Sequence, residues 1–180
     1  MPKPLPSKKS SWTHASLVTK ACAWVRTRGY RVVLSELGST TKHGEMPDVI
    51  GWNGSKSIVV ECKISRADFL ADQAKPFRQA PDNGMGRQRY YFVPSGLLTE
   101  KDVEACGWGL VVVTGRLVHV RVPSKDFKTR SMVSEMMMLY TALQRVQFRV
   151  HVPLSDLVSW SHYGKKVHPL EEVPERFEAL

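Results

Sequence analysis

The chain has 180 residues, 42% of them hydrophobic, and a formal net charge of +9 at pH 7. This length and composition suit a globular domain with a sizeable core and exclude a disordered chain. The excess of lysine and arginine favours polyanionic partners, and no apolar stretch is long enough to cross a bilayer.

The chain divides into three predicted regions. Residues 1–11 are expected to form a flexible basic arm, and they lack the apolar segment of a secretory signal. Residues 12–150 are expected to form one α/β domain, and residues 151–180 a C-terminal appendage.

The first predicted elements are a helix and a strand. Residues 13–28 carry apolar side chains near helical spacing, and Gly29 follows as a stop signal. A strand begins at Val32, on which Val32, Leu34 and Glu36 share one face. A polar loop then leads into the next apolar segment.

Residues 46–63 predict a β-hairpin. Asn53-Gly54 lies between two apolar runs and is a strong signal for a two-residue turn, which would place Asp48 diagonal to Glu61. A four-residue turn would place Asp48 directly opposite Glu61 on the same face. A three-residue turn would separate them, so the interpretation depends on the parity of the hairpin.

The predicted hairpin places side chains that could bind a metal ion on one face. Glu61 and Lys63 share a face because side chains alternate along a strand, whereas the side chain of Cys62 faces the core. Mg²⁺ (or Mn²⁺) prefers carboxylate oxygens and needs only one or two from the protein. Asp48 and Glu61 are therefore the candidate metal ligands, and the backbone carbonyl of Cys62 is a further candidate.

The lysine of this segment is expected to remain protonated. Two neighbouring carboxylates favour its charged form, which makes Lys63 a better electrostatic stabiliser than general base, although the sequence leaves the second role open. Such a set of residues suits metal-dependent cleavage of phosphodiester bonds.

A second helix is predicted directly after the hairpin. Ser65 with Asp68 three residues later resembles a capping box, and Pro76 ends the helix. The free amides at the start of this helix would attract a phosphate. The remaining predicted elements are a strand at 87–93, a short helix at 99–105, a hairpin at 108–113 and 117–122, and an amphipathic helix at 131–146.

These elements predict an α/β fold with a mixed β-sheet flanked by helices. The last helix is amphipathic, and its apolar residues Met132, Met136, Leu139, Tyr140 and Leu143 lie on one side. The methionines within 132–138 are expected to be core or a dimer face.

Basic residues cluster around the motif and around the Pro/Gly-rich segment 80–86. Arginines beside such a loop are expected to contact a nucleic-acid backbone without reading sequence. The candidate nucleic-acid-binding residues are Lys42, His43, Arg66, Lys75, Arg78, Arg87 and Arg89.

The three cysteines indicate a reducing compartment. Cys22, Cys62 and Cys106 are widely spaced and form no CxxC pair. An odd, scattered set argues against a disulfide framework or a zinc site. We therefore expect a cytoplasmic protein.

Pro47-Asp48, followed after a hairpin-length gap by Glu61-Cys62-Lys63, resembles the motif of the PD-(D/E)xK nuclease superfamily. The resemblance covers roughly residues 12–121. Segments 61–72 and 90–94 are also similar to small bacterial and phage nuclease-like proteins, including the MmcB-like repair proteins.

The resemblance implies the restriction-endonuclease-like fold and a Mg²⁺-dependent DNA endonuclease. Asp48 and Glu61 would bind the ion, Lys63 would act at the attacking water, and Glu36 would assist. The setting would be DNA repair or phage DNA processing, in a bacterium or a phage-infected host cell.

Other functions remain open. The same fold could carry a non-catalytic nucleic-acid-binding adaptor, or a phage-encoded factor that binds a host protein. RNA is an alternative substrate, and a homodimer would suit cleavage of two strands. The absence of HExxH and of GxxxxGK[ST] leaves a zinc hydrolase and an NTP-driven motor unsupported.

Overall fold

A six-stranded mixed β-sheet with helices on both faces forms the centre of the computed structural model, which describes residues 12–39 and 44–150. The strands are β1 (Val32–Ser35), β2 (Val49–Asn53), β3 (Lys56–Cys62), β4 (Gln88–Pro94), β5 (Gly109–Thr114) and β6 (Leu117–Val122). The helices are α1 (His14–Thr27), α2 (Arg66–Gln73), α3 (Pro76–Gln79), α4 (Glu100–Glu104) and α5 (Met132–Val150).

The strands lie in chain order across the sheet. β3, β4 and β5 run parallel to one another, whereas the β1–β2, β2–β3 and β5–β6 pairs are antiparallel. The α2–α3 and α4 segments provide the crossovers that parallel neighbours need. The predicted α/β class, a mixed sheet flanked by helices, is confirmed.

The described chain forms two compact units, one ending at Leu143 and one beginning at Gln144. The predicted arm (residues 1–11) and appendage (residues 151–180) lie outside the described residues. Among the residues that are described, no helix is long and apolar enough to span a membrane.

Helix α1 covers one face of the sheet. Thr13 caps it, because its Oγ1 accepts a hydrogen bond from the Ser16 amide at 3.2 Å while the Thr13 amide donates to Ser16 Oγ at 3.1 Å. The helix packs closely where Gly51 of β2 leaves room for it. The buried residues of this layer include Leu17, Ala21, Val25, Tyr30, Val49, Ile58, Val60, Tyr90 and Phe92.

The opposite face packs against α2, α4 and α5. Aromatic rings dominate this layer, with Tyr91 4.9 Å from Phe69 in an edge arrangement and 4.7 Å from Trp108 in a stacked one. Met138 of α5 is fully buried here. Apolar layers therefore cover both faces of the sheet. Polar side chains that could react with a ligand are expected at the ends of the strands.

The β2–β3 hairpin closes one residue later than predicted. Asn53 pairs with Lys56, so Gly54-Ser55 form the turn and the expected turn at Asn53-Gly54 is wrong. Gly54 has φ 58°, a conformation that glycine adopts at little cost. The register carries Asp48 to a position opposite Glu61, which is the result expected of the four-residue turn.

Helix α5 is rotated relative to the prediction. Of the methionines at 132–138, Met138 is fully buried, whereas Met132 and Met136 are exposed, so the expectation of a core position is wrong for these two. The helix instead turns Glu135 inward, together with Ser134 and Met138. The Glu135 carboxylate accepts hydrogen bonds from Trp52, Ser57, Gly86 and Arg130, which compensates for its burial.

Substitution Gly51→Ala is expected to destabilise the fold by about 1–3 kcal/mol. An added Cβ would lie 2.8 Å from Val25 Cγ1 and 3.2 Å from Tyr30 Cβ, so α1 would have to move. Chemical denaturation measures the change. The exposed Ser35→Ala on β1 is the control, and equal stability of the two variants would contradict the close packing of α1 on β2.

Candidate active site

The residues of the acid–acid–lysine motif meet at the C-terminal end of β3. Lys63 Nζ lies 3.3 Å from Glu61 Oε2 and donates a hydrogen bond to it. The backbone N–H of Cys62 donates to Asp48 Oδ2 at 2.7 Å. Both acids and the lysine are thus fixed by the end of one hairpin, as the parity argument requires.

Arg78 closes this site from the side of α3. Its Nη2 lies 2.8 Å from Glu61 Oε1, its Nε lies 2.8 Å from Asp72 Oδ2, and its Nη1 pairs with Glu45. Only 5% of the Arg78 side chain is exposed. We call Glu45, Glu61, Lys63, Asp72 and Arg78 the buried ion cluster.

Local structure explains how the cluster assembles. Ser65 caps α2 by accepting from the Asp68 amide at 3.2 Å, as predicted, and α2 then carries Asp72 to the sheet. Pro76 at the first position of α3 restarts the helix and directs Arg78 back toward β3.

The acids of the cluster have further partners. The hydroxyl of Tyr91 donates to Asp72 Oδ2 at 3.1 Å. The amide of Met85 donates to Glu45 Oε2 at 2.6 Å. The loop before β2, the segment after α3 and the strand β4 are therefore tied to the same cluster.

The surroundings shift the pKa values of the buried carboxylates Glu61 and Asp72 in opposite directions. Burial raises the pKa of Glu61 to about 7, and the nearby carboxylates of Asp48 and Asp72 add to the rise, although Arg78 and Lys63 oppose it. Burial would also raise the pKa of Asp72, but the charge and hydrogen bonds of Arg78, with help from Lys75, lower it to about 2. Of these two carboxylates, Glu61 is therefore the one whose pKa lies near neutrality.

Lys63 is held in its charged form. Burial alone would lower its pKa, but the carboxylates of Glu61, Asp72 and Asp68 outweigh burial and raise it. The ammonium lies 3.5 Å from Asp72 Oδ1 and 3.7 Å from Asp68 Oδ1. Asp68 is 44% exposed, whereas only 5% of the Lys63 side chain is exposed.

His14 is a site residue that the sequence did not predict. Its Nε2 lies 3.3 Å from Asp48 Oδ2, and its Nδ1 lies 3.6 Å from Glu36 Oε1. His14 belongs to the first turn of α1, more than thirty residues before Asp48. Only the packing of α1 over the end of the sheet brings the two together, so no local pattern indicates the contact.

Glu36 reaches the site in a different way from the predicted one. β1 ends at Ser35, and Glu36 has φ 49°, so it is not a strand residue sharing the face of Val32. Its amide donates to the Asp48 carbonyl at 3.0 Å, and its side chain turns toward His14. It stays beside Asp48 but does not join the cluster around Glu61.

Two arginines predicted to contact nucleic acid are instead internal. Arg78 is buried and forms ion pairs with the acids of the buried ion cluster. Arg89 is 1% exposed, donates to the carbonyls of Pro81, Gly84 and Gly86, and lies 4.0 Å from the ring of Phe127. Burial lowers the pKa of Arg89 to about 10. For these two residues the prediction is wrong, because each guanidinium is satisfied by the protein itself.

Three other predicted basic residues lie at the surface in ion pairs. Arg66 contacts Asp102 at 2.5 Å, Lys75 contacts Asp72 at 2.8 Å, and Arg87 contacts Asp126 at 2.6 Å. The side chains of Arg66, Lys75 and Arg87 are themselves 38–55% exposed, so they remain candidates for phosphate contact. Lys42 and His43 lie outside the described residues.

The donor set matches Mg²⁺ only in part. Among residues 12–39 and 44–150, no group of three or more His, Cys, Asp and Glu is arranged to hold a metal ion. Asp48 and Glu61 are two carboxylates, which is the number that Mg²⁺ commonly takes from a protein. Burial raises the pKa of the Cys62 thiol well above its usual range, which leaves only its carbonyl as a candidate ligand.

No protein-family model and no curated protein matches this chain. Among solved structures, the chain is similar to the SPO1766 protein of unknown function from Silicibacter pomeroyi, with a TM-score of 0.56 and 20% sequence identity. The match covers 81% of this chain and 94% of that chain. At this identity the likeness concerns the fold alone.

Substitution Arg78→Met is expected to destabilise the protein by about 3–5 kcal/mol, because it leaves buried carboxylates without their shared cation. Urea denaturation at neutral pH measures the loss. Arg66→Met removes an exposed arginine from an ion pair and serves as the matched control, with little expected change. Equal effects of the two substitutions would contradict a structural role for the buried ion cluster.

The raised pKa of Glu61 predicts a specific pH dependence of stability. The folded chain holds this proton up to about pH 7, whereas an unfolded chain releases it near its ordinary value of 4.5. The stability from this group is therefore complete below pH 4.5 and declines as the pH rises toward 7.

Glu61→Gln removes that titration. Between pH 4.5 and 8 the wild type should lose roughly 3 kcal/mol relative to this variant. Denaturation across the pH range provides the measurement, and Glu104→Gln on the exposed side of α4 should follow the wild-type curve. Parallel curves for wild type and Glu61→Gln would show that Glu61 does not titrate in this range.

Proposed function

We propose that this chain is a metal-dependent nuclease of the PD-(D/E)xK type that hydrolyses phosphodiester bonds in DNA. The observation that carries the proposal is the β2–β3 register, which sets Asp48 opposite Glu61 with the Lys63 ammonium 3.3 Å from Glu61. The net charge of +9 supports a polyanionic substrate. DNA repair or phage DNA processing, in the cytoplasm, is the setting that this function suggests.

Asp48 and Glu61 would hold Mg²⁺ or Mn²⁺, with the carbonyl of Cys62 as a further ligand. When bound, the ion would supply Lewis-acid polarisation of the phosphate and a more acidic water. The hydrogen bond from the Cys62 amide fixes the direction of Asp48. His14 adds a second contact on the same carboxylate oxygen, so Asp48 is positioned before any ligand arrives.

Lys63 would stabilise charge on the phosphate rather than remove a proton. Its raised pKa keeps it as an ammonium at neutral pH. An ammonium in a poorly hydrated site stabilises developing negative charge more strongly than it would in water. Glu61 must be ionised to bind a cation, so activity should increase as the pH rises through about 7.

Asp48→Asn and Lys63→Met are each expected to reduce cleavage by roughly 100-fold or more while DNA binding persists. Linear, branched and single-stranded DNA would be incubated with Mg²⁺, Mn²⁺ or EDTA, and the products separated on gels. Glu104→Gln is the matched control, since it removes an exposed carboxylate that is not part of the motif. Full metal-dependent activity in Asp48→Asn would refute the assignment.

A second candidate is a non-catalytic nucleic-acid-binding protein on the same fold. The specific observation in its favour is that Arg78 and Lys63 already neutralise the buried Glu61. The same assay separates the candidates: salt-sensitive DNA binding without cleavage, with either ion and on every DNA form, would favour the binding protein.

A further inference from the structure

A second concave surface lies at the opposite end of β3 from the motif. An open cleft of ≈ 630 Å³ is formed by the C-terminal end of α1, the β2–β3 turn and the start of β4. Lys56, the first residue of β3, lines this cleft, and Glu61 lies five residues further along the strand. At the rise of an extended strand this separates the two places by roughly 17 Å.

The charged groups in the cleft are predominantly basic. Arg28, Lys56 and Arg87 line it together with a single carboxylate, that of Asp126. Arg87 occupies this carboxylate through two contacts, at 2.6 and 2.8 Å. Within the described part of the chain, no acid forms an ion pair with Arg28 or Lys56.

The end of α1 opposes this basic character only weakly. The C-terminus of a helix carries roughly half a negative charge, which is less than the two cations left over. Part of that negative charge is already compensated, because the Arg28 amide donates hydrogen bonds to the carbonyls of Trp24 and Val25. The cleft therefore remains a positive surface.

The neutral polar groups in the cleft also present donors. The Tyr30 hydroxyl donates to Gln88 Oε1 at 3.0 Å, which directs the amide nitrogen of Gln88 away from Tyr30 as a donor. Asn53 at the hairpin turn supplies a second exposed amide. A guanidinium, an ammonium and two amides together suit a ligand rich in acceptor oxygens.

We propose that this cleft binds the phosphate of a nucleotide unit, with Arg28 and Lys56 contacting the phosphate oxygens. The volume lies within the range of small-molecule sites, and Asn and Gln amides are suited to hydrogen-bonding the edge of a base. The unit is either a free nucleoside phosphate or the phosphorylated end of a strand. Binding here requires no cleavage chemistry, so it stands or falls independently of the nuclease assignment.

The test measures binding in EDTA, where metal-dependent cleavage cannot proceed. The probes are a 5′-phosphorylated oligonucleotide, the same oligonucleotide with a 5′-hydroxyl, adenosine monophosphate and inorganic phosphate, at physiological ionic strength. The Arg28→Ala/Lys56→Ala double variant is compared with Lys101→Ala/Arg116→Ala, which removes the same charge from exposed positions outside the cleft. Circular dichroism confirms that both variants are folded.

The wild type should bind a phosphate-bearing probe more tightly than the hydroxyl oligonucleotide, and the cleft variant should lose roughly tenfold or more of that affinity. The control variant should lose much less. Binding of adenosine monophosphate would identify a free nucleotide, and binding of the phosphorylated oligonucleotide alone would identify a strand end. Equal losses in both variants, binding of inorganic phosphate alone, or no preference for the phosphate would overturn the proposal.

Discussion

The ion pairs of Arg78 hold together the end of the sheet at which the candidate site is built. Glu45, Glu61 and Asp72 come from three separate segments and share this one guanidinium. Carboxylates at this depth repel each other with little screening, and an unpaired buried charge costs several kcal/mol. The loop before β2, the end of β3 and helix α2 are therefore all tied to the Arg78 side chain.

This arrangement gives Glu61 two roles that oppose each other. As a member of the cluster, Glu61 is stabilised by Arg78 and Lys63. As a metal ligand, it would have to share or give up one of those cations, since a carboxylate oxygen offers few positions at such depth. The pKa near 7 reflects the same conflict, because burial and the neighbouring acids outweigh the attraction of both cations. A site of this kind would trade fold stability for reactivity, as functional sites commonly do.

Much of the fold follows from local sequence signals. The helix stop at Gly29, the cap at Ser65 and the alternation along residues 58–63 each depend on neighbouring residues, and each is found in the structure. The hairpin turn shows the limit of such signals. Asn-Gly favours a turn at these two residues, but Asn53 pairs with Lys56 as the last rung of the β2–β3 ladder, so Gly54 takes the first turn position instead.

The candidate site was predictable only as far as one hairpin extends. Asp48, Glu61 and Lys63 follow from strand parity. The contact of His14 with Asp48 depends on how α1 crosses the sheet. The ion pair of Arg78 with Glu61 depends on the direction of α3 relative to β3. Neither arrangement has a local signature, because both join residues whose separation in sequence says nothing about their distance in space.

The burial of basic side chains also changes where the positive charge acts. Composition alone suggests that arginines near the motif face a nucleic acid, yet Arg78 and Arg89 are internal and neutralise or organise the protein's own groups. Arg28 and Lys56 line the cleft at the start of β3, and their side chains are exposed to solvent. Long-range attraction of a polyanion depends on such exposed charge and is screened within about 8–10 Å at physiological salt. Arg28 and Lys56 are therefore better placed for such attraction than Arg78 and Arg89, whose charge is satisfied inside the protein.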